Sequence, residues 1–471
     1  MPGPRPPPAP IRSLADAAAW LEGLINLERR PEIPYARLGL DPIRRLLARL
    51  GDPHAGLSVV HVAGSKGKGS TALLVEALLR ALGERVGTFT SPHLERWTER
   101  FRIDGREVDG ARLADAVARV RPHDEALAAE HPARSPTFFD ATTAAALLLF
   151  AEAGVDRAVL EVGLGGRLDS TNVVDPAVTC ITTIELEHTD KLGATFASIA
   201  AEKAGIVKRG RPLVMGSLPP EAEAIVLERA EELDAPVVRL GRDFEASVRA
   251  AGLDGLRVAL RNGALAVDAS LPVLGAHHAA NAALALACVK RLEVYSDAAL
   301  AEAATRGFAA AELPGRVEIV GRSPWLVVDS AHTAASAVAL AGALACLPQG
   351  AAHLVLSISA GKDLGAILAA LLPLARRVTV TRAEAARSLA PEAIAAAVRA
   401  AEPGVAVRVV PNPHLALRAA REAADAADLV VATGSVYLAG IARRLWRAPP
   451  APLRVSRRAP TPSDVGTPRR P

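Results

Sequence analysis

The sequence predicts an α/β protein built as two domains, and three observations carry that prediction. At 471 residues the chain exceeds what a single hydrophobic core ordinarily organises. Half of the residues are hydrophobic but only 3% are aromatic. Alanine supplies much of the hydrophobic half, so Ala/Leu helices packed on Val-rich strands are expected. From Leu57 to about Ile206 short Val-rich strands alternate with longer Ala/Leu helices, and the alternation restarts near Leu313.

Residues 13–51 read as helical, with Ser13 as the cap of "SLADAAAWLEGLINLERR". Three strands stand out in the first half: "LSVVHVA", "RAVLEVG" and "AVTCITTI". A strand-rich patch spans residues 211–275, and the Asn262-Gly263 pair within "LRVALRNGALAVD" is a strong hairpin signal. A helical stretch follows from His277 to about Ala310. After "LPGRVEIV" come the strands "WLVVDS", "HLVLSIS", "RVTVTR", "VAVRVV" and "DLVVATGS", spaced by helices. The expected division is a Pro-rich tail at 1–12, a first domain at 13–312, a second at 313–447 and a basic Pro-rich tail at 448–471. No internal repeat is evident.

Several function classes recede on composition. No apolar run approaches the roughly 18–20 residues that span a bilayer. "MPGPRPPPAP" lacks the apolar stretch of a secretion signal. Cys180, Cys288 and Cys346 have neither disulfide-framework nor metal-ligand spacing, so a reduced cytoplasm is expected. Residues 451–471 carry five arginines against Asp464 alone, which is the whole formal charge of +4. A nucleic-acid binder would carry a basic face on its folded part instead. The tail is expected to be disordered and dispensable.

The chemistry starts at "VVHVAGSKGKGSTALLVEALLRALG", Val59 to Gly83: a buried strand, a Gly/Lys loop and a helix. Backbone N–H groups of such a turn, followed by a helix N-terminus, form an anion site. Lys68 supplies a cation for phosphates, and Ser70 or Thr71 a hydroxyl for Mg²⁺. The standard G-x-x-x-x-G-K-[ST] pattern does not match, because Val62 holds the first Gly position and Gly69 separates Lys68 from Ser70. The plain alternative is a strand–helix turn with solvated lysines. "RAVLEVGLGGRLDSTN" delivers Glu161 at a strand's carboxyl end, where ligands of open α/β sheets collect and where a carboxylate could hold Mg²⁺. His188 and Lys203 are each weak signals alone. Lys203 does lie in the apolar "IAAEKAGIV", and a buried amine is pushed towards neutrality. In the second half "WLVVDSAHTAAS" brings Asp329 and His332 from a strand end to a helix start, with a simple helix cap as the alternative for Asp329.

Taken in order, these segments resemble the folylpolyglutamate synthase/dihydrofolate synthase family, a branch of the Mur-type ATP-dependent amide ligases. The residues that carry the likeness are "HVAGSKGKGS", "TSPHLERWTERFRIDG", "PTFFDATTAAALLLF", "LEVGLGGRLDSTNVV", "LGATFASIAAEKAGIVK", "LGAHHAANAALAL", "LPGRVEIV", "VVDSAHTAAS", "SISAGKDL" and "ATGSVYLAG", over roughly residues 13–446. The resemblance implies a P-loop-type first domain, its largely parallel sheet flanked by helices, and a smaller Rossmann-like α/β second domain. It implies ATP binding by Gly64, Gly67, Lys68, Gly69, Ser70, Thr71 and Asn281, joined from the second domain by Arg316, Asp329 and His332. Ser70 and Glu161 would serve one Mg²⁺, and His188 and Lys203 a second. Lys203 matches the family's carbamylated lysine. Lys68, Lys203 and His332 are the catalytic candidates. Thr137, Phe139, Asp169, Ser170 and Thr171 match the pterin-binding region.

The implied reaction passes the γ-phosphate of ATP to a folate-type carboxylate, after which the amine of L-glutamate displaces phosphate. A monomer is expected, with ATP, glutamate and a pterin as its partners. The chain departs from the family at Ser65-Lys66 for T-N, at Glu185-Leu186-Glu187-His188 for G-L-D-H, and at Ser330 and Thr333 within D-G-A-H-N. Those departures leave the acceptor open. A Mur-type ligase on another carboxylate, or a nucleotide-binding paralogue without turnover, are the alternatives.

Overall fold

The computed structural model describes residues 10–26, 35, 38–347 and 352–447. The expectations for residues 1–9 and for the basic tail at 448–471 lie outside the described residues.

Among the described residues the largest sheet contains β1 (Ser58–Ala63), β2 (Val86–Phe89), β3 (Phe101–Ile103), β4 (Arg106–Glu107), β5 (Arg157–Glu161), β6 (Val178–Ile181), β7 (Leu213–Met215) and β8 (Val237–Arg239), in the spatial order β4-β3-β2-β5-β1-β6-β7-β8. From β2 to β8 every neighbour is parallel; β3 and β4 add an antiparallel edge. A sheet covered on both faces needs strands that are apolar throughout, and β1 meets that demand, being buried from Val59 to Ala63. Helices Lys68–Ala81 and His277–Lys290 cover one face with Val60, Val62, Leu74, Leu78 and Leu286. Helix Phe138–Ala153 covers the other, with Leu147 and Phe150 packed on Leu160 and Phe89.

A meander of β9 (Phe244–Gly252), β10 (Gly255–Asn262) and β11 (Leu265–Leu271) follows. Its last hairpin pairs Asn262 with Leu265 and reverses at Gly263, whose φ of +64° explains the glycine. The second domain holds β12 (Glu318–Arg322), β13 (Trp325–Val328), β14 (Ala352–Leu356), β15 (Ala375–Val380), β16 (Ala406–Val409) and β17 (Leu429–Thr433), ordered β12-β13-β17-β14-β15-β16. Only β12 runs antiparallel there.

Two helical expectations are corrected. Residues 13–51 give separate helices, Leu14–Gly23 and Asp41–Arg49: the backbone turns extended at Leu24, and Pro42 marks the start of the second helix. The stretch 277–310 is likewise two helices, His277–Lys290 and Asp297–Ala309; Ser296 caps the second through the N–H of Ala299. No helix among the described residues is long and apolar enough to cross a membrane.

Candidate active site

The carboxyl ends of β1, β5 and β6 open on one crevice, and the loop after β1 is its floor. Gly64 has φ +148°, and a Cβ there would lie 1.9 Å from Thr182 Oγ1. Gly67 has φ +81°, and its Cβ would meet Asn281 Oδ1 at 2.6 Å. Both positions therefore need glycine. Lys68 folds back over the loop, donating from Nζ to the carbonyls of Gly64 at 2.9 Å and Ser65 at 3.2 Å. The loop is tied to the segment after β6: Ser65 Oγ accepts from Glu185 N at 2.9 Å, and Lys66 N donates to Thr183 Oγ1 at 2.9 Å. Helix Lys68–Ala81 starts with no side-chain cap, so its first N–H groups and its dipole face the crevice. Ser70 and Thr71 are buried in that first turn, and Thr71 Oγ1 has no hydrogen-bond partner among the described residues.

Glu161, at the end of β5, faces the same turn: a Cβ on Gly69 would lie 3.2 Å from its Oε2. Ser91 N donates to that oxygen at 2.9 Å. Burial pushes the Glu161 carboxyl up, while Lys68 across the crevice opposes the shift. Lys203 reaches in from helix Phe196–Ala204, almost wholly buried, and its Nζ donates to Gly64 O at 2.9 Å. Burial, then the charge of Lys68, lowers the Lys203 ammonium to about 7. Glu187 pairs with Lys66 at 2.7 Å and approaches Lys203 at 4.0 Å. Burial works to raise Glu187, but Lys68, Lys66 and Lys203 outweigh it and hold the carboxyl down to about 2. His188 follows with φ +50°, and burial lowers its imidazole to about 4.

The second domain contributes from above. Arg316 donates to the Gly315 carbonyl at 3.3 Å and to Ser330 Oγ. Asp329, buried at the end of β13, accepts from Val317 N at 2.9 Å and Ala331 N at 2.7 Å. It is not the cap of the next helix; Thr333 is, through Ser336 N. His332 Nδ1 lies 2.8 Å from the Ser330 carbonyl, so that nitrogen carries the proton and Nε2 is an acceptor. Burial lowers His332 to about 3, which keeps it neutral.

The pterin-region candidates are close-knit rather than open. Thr137 and Asp140 form a reciprocal capping box, and Ser170 Oγ donates to Asp140 Oδ1 at 2.6 Å. Asp169 Oδ2 accepts from the N–H groups of Gly163 and Leu164, while its Oδ1 accepts from Thr171. Thr171 Oγ1 in turn meets His61 Nε2 at 2.8 Å. Burial raises Asp169 to about 6. Phe139 lies over Gly163, where a Cβ would come within 2.5 Å of its ring. The side chains of Thr137, Asp169, Ser170 and Thr171 thus hold the walls of the crevice.

Sequence reasoning assigned no role to Lys362, although burial and the charge of Lys66 depress its ammonium while Glu187 opposes the shift, so it faces the loop from the second domain. It also missed the adjacent pair His277 and His278, whose tilted rings have centroids 4.1 Å apart beside Asn281. The doubled histidine of "GAHHAAN" was the available signal.

Two α/β domains meet over a glycine-rich loop and an uncapped helix start, and comparison with known proteins gives the family. The Mur ligase middle domain matches residues 62–289, and the Mur ligase glutamate ligase domain matches residues 315–436. The dihydrofolate synthase/folylpolyglutamate synthase of Mycobacterium tuberculosis is 36% identical over 475 residues, covering 91% of this chain and 95% of that one. The structure of Mycobacterium tuberculosis folylpolyglutamate synthase complexed with ADP and AMPPCP superposes with a TM-score of 0.83 at 35% identity, covering 93% of this chain and 99% of that one. The bifunctional folylpolyglutamate synthase/dihydrofolate synthase from Yersinia pestis, complexed with AMPPNP and Mn, gives a TM-score of 0.77 at 34% identity and covers 92% and 97%. The chain spans about half the length of other relatives. The probable bifunctional folylpolyglutamate synthase/dihydropteroate synthase of Haloferax volcanii is 39% identical over 87% of this chain but 48% of its own. The chain belongs to the folylpolyglutamate synthase/dihydrofolate synthase family of Mur-type ligases.

The residues present fit a hard divalent cation. Ser70 and Glu161 are oxygen donors at the helix start, and Mg²⁺ takes few protein carboxylates when it also binds phosphate oxygens. Among the described residues no group of three or more His, Cys, Asp or Glu side chains is gathered for a metal.

Proposed function

We propose that the chain is an ATP-dependent ligase that joins L-glutamate to a folate-type carboxylate, releasing ADP and phosphate. The observation that carries this reading is the convergence of Lys68, the uncapped helix start and Glu161 from one domain with Arg316 and His332 from the other. Amide formation from a free carboxylate is uphill in water, so the carboxylate must first be activated. Lys68 and the loop N–H groups hold the β- and γ-phosphates, and Arg316 adds a second cation where charge spreads in transfer. Ser70 and Glu161 would hold one Mg²⁺, and His188 and Lys203 would serve a second, which would supply further charge neutralisation. The acceptor carboxylate takes the phosphoryl group, and the amine of glutamate then displaces phosphate. Neutral His332 offers an acceptor nitrogen to the nucleotide side of the cleft. Closure of the second domain keeps water from the acyl phosphate.

The Lys203 environment supports carbamylation. An amine lowered to about 7 is substantially free at neutral pH, and Lys66 and Lys68 lie where a carbamate anion would be stabilised. Phe139 and the 163–172 loop are the surface proposed for the pterin. A cytoplasmic monomer is the form expected. The test is ADP release by the purified chain with MgATP, supplied with dihydropteroate or tetrahydrofolate, with and without L-glutamate. Release that needs both acceptor and glutamate supports the reading. Release indifferent to every pterin would move it to another carboxylate, and none at all to a nucleotide-binding paralogue.

A further inference from the structure

Away from the phosphate loop, the two domains are joined by a line of nearly buried charges. The loop at 90–96 leaves β2 and touches the site at its start, where Ser91 N donates to Glu161. At its far end the N–H groups of Leu94, Glu95 and Arg96 all donate to the Glu99 carboxylate, at 2.7, 3.1 and 3.0 Å, which fixes the loop as a unit. Leu94 presses on the second domain. A Cβ on Gly440, in helix Val436–Arg447, would lie 1.9 Å from its carbonyl oxygen, and one on Gly315 would lie 2.8 Å from its Cδ1.

Beside it Arg443 bridges the domains. Its Nη1 meets Glu95 Oε1 at 2.5 Å, and its Nε donates to Glu318 Oε2 at 2.9 Å. Side-chain exposure is 10% for Arg443, 6% for Glu95 and 13% for Glu318. Glu318 Oε2 also accepts from the N–H of Gly315 at 2.8 Å, the residue before Arg316. A continuous line thus runs from Glu161 through Ser91, Glu95, Arg443, Glu318 and Gly315 to Arg316.

We infer that Arg443 is a positioning residue for the ligase reaction: by bridging Glu95 and Glu318 it holds the second domain in the register that sets Arg316 opposite Glu161. The inference rests on the ligase reading above. A planar guanidinium suits this task because its N–H groups serve two carboxylates at fixed angles. Its neighbours cannot replace it. Among the described residues Arg444 pairs only with Glu95, and Arg447 only with Glu318 at 2.6 Å; both are more than half exposed. Without Arg443, two desolvated carboxylates would face each other across the interface and push it apart. A loosened second domain admits water to the acyl phosphate. Water then breaks its bond to phosphorus or carbon, returning the carboxylate and phosphate, and ATP is consumed without an amide.

The experiment measures kcat and the ADP formed per glutamate incorporated in the wild type and in Arg443→Gln, Glu95→Gln and Arg447→Gln. A tightly closed wild type should release about one ADP per glutamate. In Arg443→Gln and Glu95→Gln the ratio should rise to about two or more while kcat falls about tenfold to a hundredfold, as displaced catalytic groups do. Arg447→Gln, which removes a contact within the second domain only, should keep the wild-type ratio. Glu95→Gln preserves shape and serves as the test should Arg443→Gln not fold. A folded Arg443→Gln or Glu95→Gln protein with unchanged coupling would overturn the proposal. So would an equal rise in Arg447→Gln, which would mean a general loss of stability. A wild type releasing no ADP in response to glutamate would remove the ligase reading and this proposal with it.

Discussion

Burial and the cations Lys68 and Lys66 bring the Lys203 ammonium down to about 7, within reach of its free-amine form near neutral pH. An apolar helix with one lysine made that residue visible in the sequence, but its partner, the Gly64 carbonyl, was not. If a carbamate at Lys203 supplies ligand oxygens, Lys203→Ala should lose most activity, and short carboxylic acids added to the assay should restore part of it. Failure of every such acid to raise the rate would argue for a role as a cation instead. Asp124 is a second buried group, outside the site. Its Oδ2 has no partner among the described residues, and burial, with Asp140 and Glu125 nearby, raises it to about 7. A carboxyl raised in the folded state stabilises most below its unfolded value of about 4 and loses that contribution as pH climbs through about 7. Asp124→Asn cannot ionise, so its Tm relative to the wild type should rise between pH 5 and pH 8. Parallel Tm curves would show that Asp124 is solvated.

At the scale of elements, the loop from Gly64 to Lys68 was legible because its two features, glycine at positive φ and a lysine at the helix start, are written in residue type. Strands β1, β5 and β6 were equally plain, since burial on both faces favours short runs dominated by apolar residues. The pterin-region segments were read by likeness, and their side chains prove to be bonded to one another, a pairing no spacing reveals. Lys66 and Glu187 stood out only as departures; the structure makes them partners 121 positions apart. Thr333, another departure, has a local role as the cap of helix Ala334–Leu344. Thr333→Ala should cost about 1 kcal/mol in denaturant unfolding. No measurable cost would mean that Ser336 alone satisfies the helix start. Lys68→Ala should abolish glutamate addition by a chain that still unfolds cooperatively; near-normal turnover would remove the phosphate-loop assignment.

For the whole molecule, the restart of the strand–helix pattern near Leu313 foretold a second α/β unit, and its order of residues foretold the family. How the domains meet was beyond sequence reading. Glu95 and Arg443 are 348 positions apart, and each alone is an ordinary surface charge. Only packing, with Leu94 against Gly315 and Gly440, shows why they are buried together. The same meeting brings Arg316, His332 and Lys362 over the loop that carries Lys68 and over Glu161 at the end of β5. Phosphoryl transfer to the acceptor carboxylate is the central claim for that shared cleft. It is tested most directly with an acceptor labelled with ¹⁸O in both carboxylate oxygens. In a single turnover with MgATP and L-glutamate, one labelled oxygen should leave in the released phosphate and the other should remain in the amide. Released phosphate free of label would contradict the account.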